Sequence, residues 1–98
     1  MFLGKVIGTV WSTRKDEKLV GAKFLIVKKL DLNLNEKKDF VVAVDSVGAG
    51  EGEVVLVATG SSSRQTSLTQ DKPVDAVIMA IVDKLDVAKN ILLEQKAD

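Results

Sequence analysis

Apolar and polar residues alternate along much of this chain with the two-residue period that is typical of β-strands. The pattern predicts five strands, each bounded by charged or turn-forming residues. They cover residues 2–13, 19–30, 40–47, 53–59 and 77–82. Gly8 interrupts the first strand and favours a bend or a β-bulge there. The charged run at residues 14–18 is then a solvated chain reversal, and residues 31–39 are an exposed connection.

Two of these strands are apolar on both faces. Residues 54–58 read Val-Val-Leu-Val-Ala, and residues 77–82 repeat the pattern. An antiparallel strand normally exposes one face to water, so such a run needs cover on both sides. In a small barrel one face fills the core, and the other has to meet a helix or a neighbouring subunit. The two strands therefore predict that the protein forms oligomers.

Helical signals are confined to short segments. Residues 60–70 predict a short helical turn that begins at a serine. After Asp83, residues Leu85, Ala88 and Leu92 recur at helical spacing, which predicts a C-terminal amphipathic helix as far as Gln95 that docks on the barrel or on a partner. The whole pattern favours a mainly β fold, a small five-stranded OB-like β-barrel with a short helical turn and a C-terminal helix. No repeat or linker divides residues 1–98, so we expect a single domain.

The loops on either side of the fourth strand are the most informative part of the chain, because residues 45–64 read DSVGAGEGEVVLVATGSSSR. Three glycines at alternate positions allow a positive φ or a close approach to another surface. The second loop offers hydroxyl groups, open backbone N–H groups and one cation, which can bind an anion or cap a helix. The candidate site residues are Gly48, Ala49, Gly50, Glu51, Gly52, Glu53, Gly60, Ser61, Ser62, Ser63 and Arg64.

The composition narrows the possible partners. Apolar residues make up 46% of the chain and aromatic residues 4%, so the core must consist of aliphatic side chains. Fourteen basic residues balance fourteen acidic ones, which disfavours nucleic acid and anionic membranes as partners. Cys is absent, and there is neither a spanning segment nor a signal-peptide pattern. We therefore expect a soluble, cytoplasmic protein without disulfides or thiolate metal sites.

Catalytic chemistry finds little support. The chain has no His or Cys, and its three consecutive serines lack the G-x-S-x-G elbow of a hydrolase. The glycine spacing does not match a dinucleotide fingerprint, and a strand rather than a helix follows it. Glu51 and Glu53 are too few to form a cation site. We predict no catalytic residue, no cofactor and no metal.

An OB-type barrel suggests nucleic-acid binding as a possible function, because such barrels hold single-stranded nucleic acid with stacked aromatic residues in a basic groove. Trp11 is the only Trp and there is no Tyr. We interpret Trp11 as a packing residue and Phe2, Phe24 and Phe40 as core or strand-start residues. The alternative that stays open is an OB-type binding module for single-stranded nucleic acid or for a small anionic ligand held by residues 60–64.

Several sequence blocks in a fixed order carry a resemblance to a known family. They are GKVIGTV at 4–10, GAKFLIV at 21–27, VAVDSVGAG at 42–50, GEVVLV at 52–57, GSSSR at 60–64 and PVDAVI at 73–78. Together they resemble the vertex proteins of bacterial microcompartments, the EutN/CcmL family. Ser63 stands where members often carry Ala, and the residues after Asp83 match no pattern of the family.

The resemblance implies a non-catalytic, structural role. A member is an OB-like barrel that assembles as a homopentamer and caps the vertices of a polyhedral microcompartment shell, whose flat facets consist of hexameric shell proteins. It implies a cytoplasmic location within that shell and no nucleic acid, membrane or cofactor. A cyclic pentamer uses a heterologous interface, in which one patch meets a different patch of the next subunit. Our hypothesis is that both loops of the candidate site lie at the subunit junction or near the five-fold axis.

Overall fold

Five strands close into a barrel within residues 1–88, the part of the chain that the computed structural model describes. The strands are β1 (Phe2–Val10), β2 (Phe24–Leu30), β3 (Glu36–Asp45), β4 (Val54–Thr59) and β5 (Ala76–Ile81). Two short 3-10 helices cover Glu17–Leu19 and Gly60–Arg64. The prediction of a mainly β, five-stranded barrel is confirmed.

The strands follow the order β1-β2-β3-β5-β4, and β4 returns to pair with β1. All neighbours are antiparallel except β3 and β5, which run parallel and pair at Val44 with Val77 and at Asp45 with Ile78. The register between β1 and β2 shifts between Val6 and Gly8. This shift confirms the irregularity that Gly8 predicts.

The predicted limits of the first three strands differ from the structure. β1 ends at Val10 and β2 begins at Phe24, because the chain between them folds back over the barrel instead of extending the two strands. Within that connection the Asp16 carboxylate accepts the Lys18 N–H at 2.9 Å and starts the first 3-10 helix. β3 begins at Glu36 rather than at residue 40, because its ladder with β2 continues through charged residues.

The barrel interior is aliphatic, as the composition predicts. Its buried residues are Val6, Leu25, Val27, Ala43, Ala49, Val55, Val57, Ala76 and Ile78. Burying each valine or larger aliphatic side chain stabilises the fold by about 1.5–3 kcal/mol. A Cβ atom at Gly4 would collide with Val27 Cγ1 and lie 3.0 Å from the Lys28 carbonyl oxygen. Gly4 therefore lets β1 and β2 approach closely, a role that the sequence pattern does not reveal.

A second cluster lies on the outer face of the barrel. Val44, Ala58, Val74 and Val77 are buried there, and Leu19, Ala22 and Phe24 pack against them. The connection after β1 and the segment before β5 thus cover the outer faces of Ala58 and Val77. The expected cover of these faces is therefore supplied within the subunit, by Leu19 of the first 3-10 helix together with loop residues Ala22 and Val74.

Hydrogen bonding between the end of β5 and β4 continues one residue beyond the strand. The Val82 N–H donates to the Val54 carbonyl at 2.8 Å. Residues 83–88 contain no helix, contrary to the prediction, and the rest of the predicted helix lies outside the described residues.

Candidate subunit interface

The first candidate loop, residues 45–53, is called the glycine loop below, and it folds around one carboxylate oxygen. Asp45 Oδ1 accepts the backbone N–H groups of Val47 at 3.1 Å, Gly48 at 3.1 Å and Ala49 at 3.2 Å. Ala49 is only 2% exposed and belongs to the barrel core. The loop is therefore anchored in the interior and holds a fixed shape.

Further hydrogen bonds tie the glycine loop to its surroundings. The Gly52 N–H donates to the Val6 carbonyl at 2.8 Å, and the Val6 N–H donates to the Glu53 carbonyl at 3.0 Å. Glu53 Oε1 accepts the Gly50 N–H at 2.7 Å. The Glu53 carboxylate thus stabilises the loop, whereas Glu51 is exposed on its surface.

The three glycines of this loop serve different purposes. Gly48 and Gly52 have φ values of +77° and +84°, which side-chain-bearing residues adopt only with strain. A Cβ atom on either would meet nothing within 4 Å, so neither glycine is needed for packing inside the chain. At Gly50 a Cβ atom would lie 3.4 Å from Glu53 Oε1, an ordinary contact. At these three positions the outer surface of the glycine loop therefore carries no side chain and has free space around it.

The second candidate loop, Gly60–Arg64, is called the serine loop and forms a 3-10 helix. The helix begins at Gly60 after Thr59, which makes no side-chain capping bond, so the prediction of a start at a serine is wrong. The buried Ser63 hydroxyl donates to the Gly60 carbonyl at 2.6 Å and lies 3.2 Å from the Val74 carbonyl. Ser63 is thus a structural residue.

The remaining residues of the serine loop face outward. Ser61, Ser62 and Arg64 are exposed. Arg64 Nη1 donates to the Val74 carbonyl at 3.1 Å, which fixes the guanidinium near the surface with its other N–H groups still able to donate. The serine loop therefore presents one oriented cation beside two exposed hydroxyl groups.

The structure does not bring the two loops together within one subunit. The glycine loop precedes Val54 and the serine loop follows Thr59, so they lie at opposite ends of β4. A six-residue strand separates its ends by about 17 Å at the usual rise per residue. The eleven candidate residues consequently form two distinct surfaces.

None of the eleven candidate residues lines a pocket that the described residues form beside Asp45, the first residue of the glycine loop. That pocket of about 350 Å³ lies between the β1–β2 connection and residues 67–74, with Lys18 and Lys72 among its lining residues. Within the described residues, every buried side-chain nitrogen or oxygen has a hydrogen-bond partner. The same residues contain no cluster of three or more acidic, His or Cys side chains suited to a metal ion.

None of the helices described within residues 1–88 has the length and apolar character required to cross a bilayer.

Sequence reasoning missed several exposed apolar side chains. Trp11 is 88% exposed and Phe40 is 60% exposed, so our interpretation of them as packing or core residues is wrong. Trp11 lies just beyond the end of β1, whose pairing with β2 ends at Val10. Phe40 stands in an uninterrupted apolar run, residues 40–44, whose double-sided character is the signal that could have identified it.

Comparison with known proteins gives consistent matches. The family model described as ethanolamine utilisation protein EutN/carboxysome matches residues 1–83. The shell vertex protein GrpN of Rhodospirillum rubrum strain F11 is 48% identical over 86 residues, which are 88% of this chain and 97% of GrpN. The carboxysome shell vertex protein CcmL of a Synechocystis species is 43% identical over 98 residues, which are 100% of this chain and 98% of that protein.

Solved structures agree with these matches. The GrpN pentameric microcompartment shell protein from Rhodospirillum rubrum superposes with a TM-score of 0.83 at 46% identity, covering 90% of this chain and 100% of GrpN. The CcmL structure from a Nostoc species gives a TM-score of 0.87 at 44% identity, covering 90% of this chain and 93% of that one. Because the family model covers residues 1–83 and the relatives are 43–48% identical over nearly their whole length, this chain belongs to the EutN/CcmL family.

Proposed function

We propose that this protein is a structural shell protein that forms cyclic pentamers and caps the vertices of a polyhedral bacterial microcompartment. Its similarity to GrpN, a shell protein whose solved structure is pentameric, carries this proposal. The similarity spans nearly the whole of both chains, so the role concerns the entire barrel. The protein would act through the shape of its assembly and would catalyse no reaction, since a shell vertex requires a unit of five-fold symmetry.

Within this assembly, the glycine loop and the serine loop lie at the subunit junction or near the five-fold axis. A cyclic assembly needs two different patches on each subunit, and the two loops are separate surfaces at opposite ends of β4. Internal hydrogen bonds hold both loops in shape, which lowers the entropy lost on association.

The charges of the two loops complement each other. Glu51 is exposed on the glycine loop, and Arg64 is oriented on the serine loop. If the glycine loop of one subunit faces the serine loop of the next, Glu51 and Arg64 lie close together at each of the five junctions. This charge complementarity favours the correct pairing of surfaces.

The partners around such a pentamer are hexameric shell proteins. Hexagonal units tile flat facets, and a sheet of hexagons closes into a polyhedron only when pentagonal units occupy its corners. Co-expression with a hexameric shell protein, followed by electron microscopy, tests this role. Closed polyhedra with the chain present, and open sheets or tubes without it, are expected. Closed polyhedra in both samples would contradict a vertex role.

The primary test is the mass of the native assembly. Five chains of 10.6 kDa give about 53 kDa, which native mass spectrometry separates from every other small oligomer. A monomer at micromolar concentration, or a ring of another size, would contradict the proposal.

The nucleic-acid alternative is not favoured, because the relatives described above are named as shell vertex proteins. A salt-sensitive shift of a labelled single-stranded oligonucleotide would revive it.

A further inference from the structure

The outer face of β3 is covered at only one of its ends. Val44, Val42 and Phe40 share this face because they alternate with the core residue Ala43. Their exposed fractions are 5%, 44% and 60% respectively. The outer cluster buries Val44 and extends no further, so the apolar face continues uncovered toward Phe40.

One edge of β3, the edge that faces away from β2, also lacks a partner strand along the same stretch within residues 1–88. The Asp45 N–H donates to the Lys23 carbonyl, so alternate residues of β3 direct their backbone groups toward β2. Val42 and Phe40 belong to the alternate set of residues. Their backbone N–H and C=O groups therefore point away from β2, toward the other edge of β3. β5 reaches that edge only at Val44 and Asp45. Within residues 1–88, no other strand pairs with the edge at Phe40 and Val42.

Neighbouring strands extend this surface. Ile26 of β2 pairs with Val42, and Gly8 of β1 pairs with Ile26. A Cβ atom at Gly8 would lie 3.4 Å from Ile26 Cδ1, so Gly8 and the Ile26 side chain are neighbours on this face. We call Gly8, Ile26, Phe40 and Val42 the β3 patch. It crosses three strands and lies apart from the pocket near Lys18 and Lys72.

We propose that an extended segment of a neighbouring copy of this chain covers the β3 patch and pairs with the backbone of Phe40 and Val42. The inference rests on the proposed function and adds a surface that neither candidate loop includes. An added strand satisfies the free backbone groups and inserts side chains beside the apolar ones at the same time. An uncovered apolar edge would instead favour uncontrolled aggregation.

The occupant is a second copy because the shell protein GrpN, 46% identical in its solved structure, is pentameric. A cyclic interface also has to bury apolar surface on each subunit, and the outer faces of Ala58 and Val77 are already buried by the chain's own loops. The β3 patch combines exposed apolar side chains with a free strand edge, which suits it to that purpose.

Two substitutions test the proposal by native mass spectrometry over a dilution series. Phe40→Lys places a charge in the patch, and Val42→Pro removes an edge N–H group at a position where proline is otherwise tolerated. Each is expected to raise the concentration at which half of the pentamer dissociates by about tenfold or more. The matched controls are Leu68→Lys, at a side chain 57% exposed outside the patch, and Val42→Thr, which keeps the N–H group. Leu68→Lys should dissociate like the unchanged protein, and Val42→Thr should raise the dissociation midpoint much less than Val42→Pro, because it keeps the N–H group.

Hydrogen exchange of the unchanged protein gives an independent measurement if a variant fails to fold. The amide hydrogens of Phe40 and Val42 are expected to be protected in the pentamer and to exchange rapidly after dilution to monomer. Rapid exchange within the intact pentamer, or variants that dissociate like the unchanged protein, would overturn the proposal. Failure of the unchanged protein to form a pentamer would contradict the proposed function instead.

Discussion

One carboxylate oxygen of Asp45 holds Ala49 in the core of the barrel. Asp45 Oδ1 accepts the Ala49 N–H at 3.2 Å, and the side chain of Ala49 is 2% exposed among the inner residues. The same oxygen accepts two preceding N–H groups, so a single acceptor fixes the start of the glycine loop. The shape of a proposed contact surface thus depends on a residue at the end of β3.

Replacing Asp45 with Ala is expected to lower the free energy of unfolding by about 1–3 kcal/mol, because three backbone donors lose their acceptor. Urea denaturation at one fixed protein concentration measures the change. The matched control is Asp31→Ala, whose carboxylate accepts the Asn33 and Asn35 N–H groups in a connection that anchors no core residue. An equal loss in both variants would show that anchoring Ala49 adds nothing.

Replacing Gly4 with Ala is expected to destabilise the barrel by about 1–3 kcal/mol, the usual cost of overpacking. The new Cβ atom would collide with Val27 Cγ1 and approach the Lys28 carbonyl oxygen at 3.0 Å, and the backbone cannot yield easily. Gly8→Ala is the control when both variants are compared as dissociated monomers, since its Cβ atom would touch only the flexible end of Ile26 at 3.4 Å. Thermal unfolding compares the two, and a Gly4→Ala variant that melts no lower than Gly8→Ala would refute the close approach.

Replacing Ser63 with Ala is expected to cost about 0.5–1.5 kcal/mol, because the buried hydroxyl donates to the Gly60 carbonyl at 2.6 Å. The loss should stay near the lower figure, since Arg64 still donates to the Val74 carbonyl. Ser62→Ala alters an exposed hydroxyl in the same loop and should leave stability unchanged. Equal denaturation midpoints for the two variants would argue against a structural role for Ser63.

Replacing Gly50 with Val is expected to weaken the pentamer while leaving the subunit folded. Its φ is not in the left-handed region, and a Cβ atom there makes only an ordinary contact, so the added bulk projects into the proposed junction. Light scattering measures the assembly, and circular dichroism confirms the fold. Ser67→Val, at an exposed position outside both loops, controls for added apolar surface. A Gly50→Val pentamer as stable as the unchanged one would contradict close packing at this loop.

The number of strands and their approximate positions along the chain follow from the sequence, because the pattern of apolar and polar side chains is a local property. The interior run of β4 and the register shift at Gly8 were both predicted. The limits of β1 and β2 were not, because Leu19 and Ala22 gain more by packing on the outer cluster than by extending a hairpin. The apolar periodicity around Leu19 and Ala22 does not by itself distinguish packing on the outer cluster from extension of the β1–β2 hairpin.

For the candidate site, too, the sequence predicts some features and only the structure shows the others. The glycines and serines of the two loops are unusual enough to be found in the sequence, and their block order indicates the family. Their individual roles are not readable there, since Gly48 and Gly52 are required by backbone conformation whereas Ser63 is buried. Phe40 was misassigned because an apolar residue in a strand is usually covered, and only the arrangement of neighbouring strands shows that this one is exposed.

By itself the sequence determined a five-stranded aliphatic barrel, two distinctive loops and membership of a structural family, because local periodicity and motif order carry that information. The tertiary structure alone decided that β3 and β5 pair in parallel, that Gly4 lies against Val27, and that the outer cover ends at Val44. These features depend on contacts between residues far apart in the chain. Such contacts determine which apolar faces remain available to another subunit.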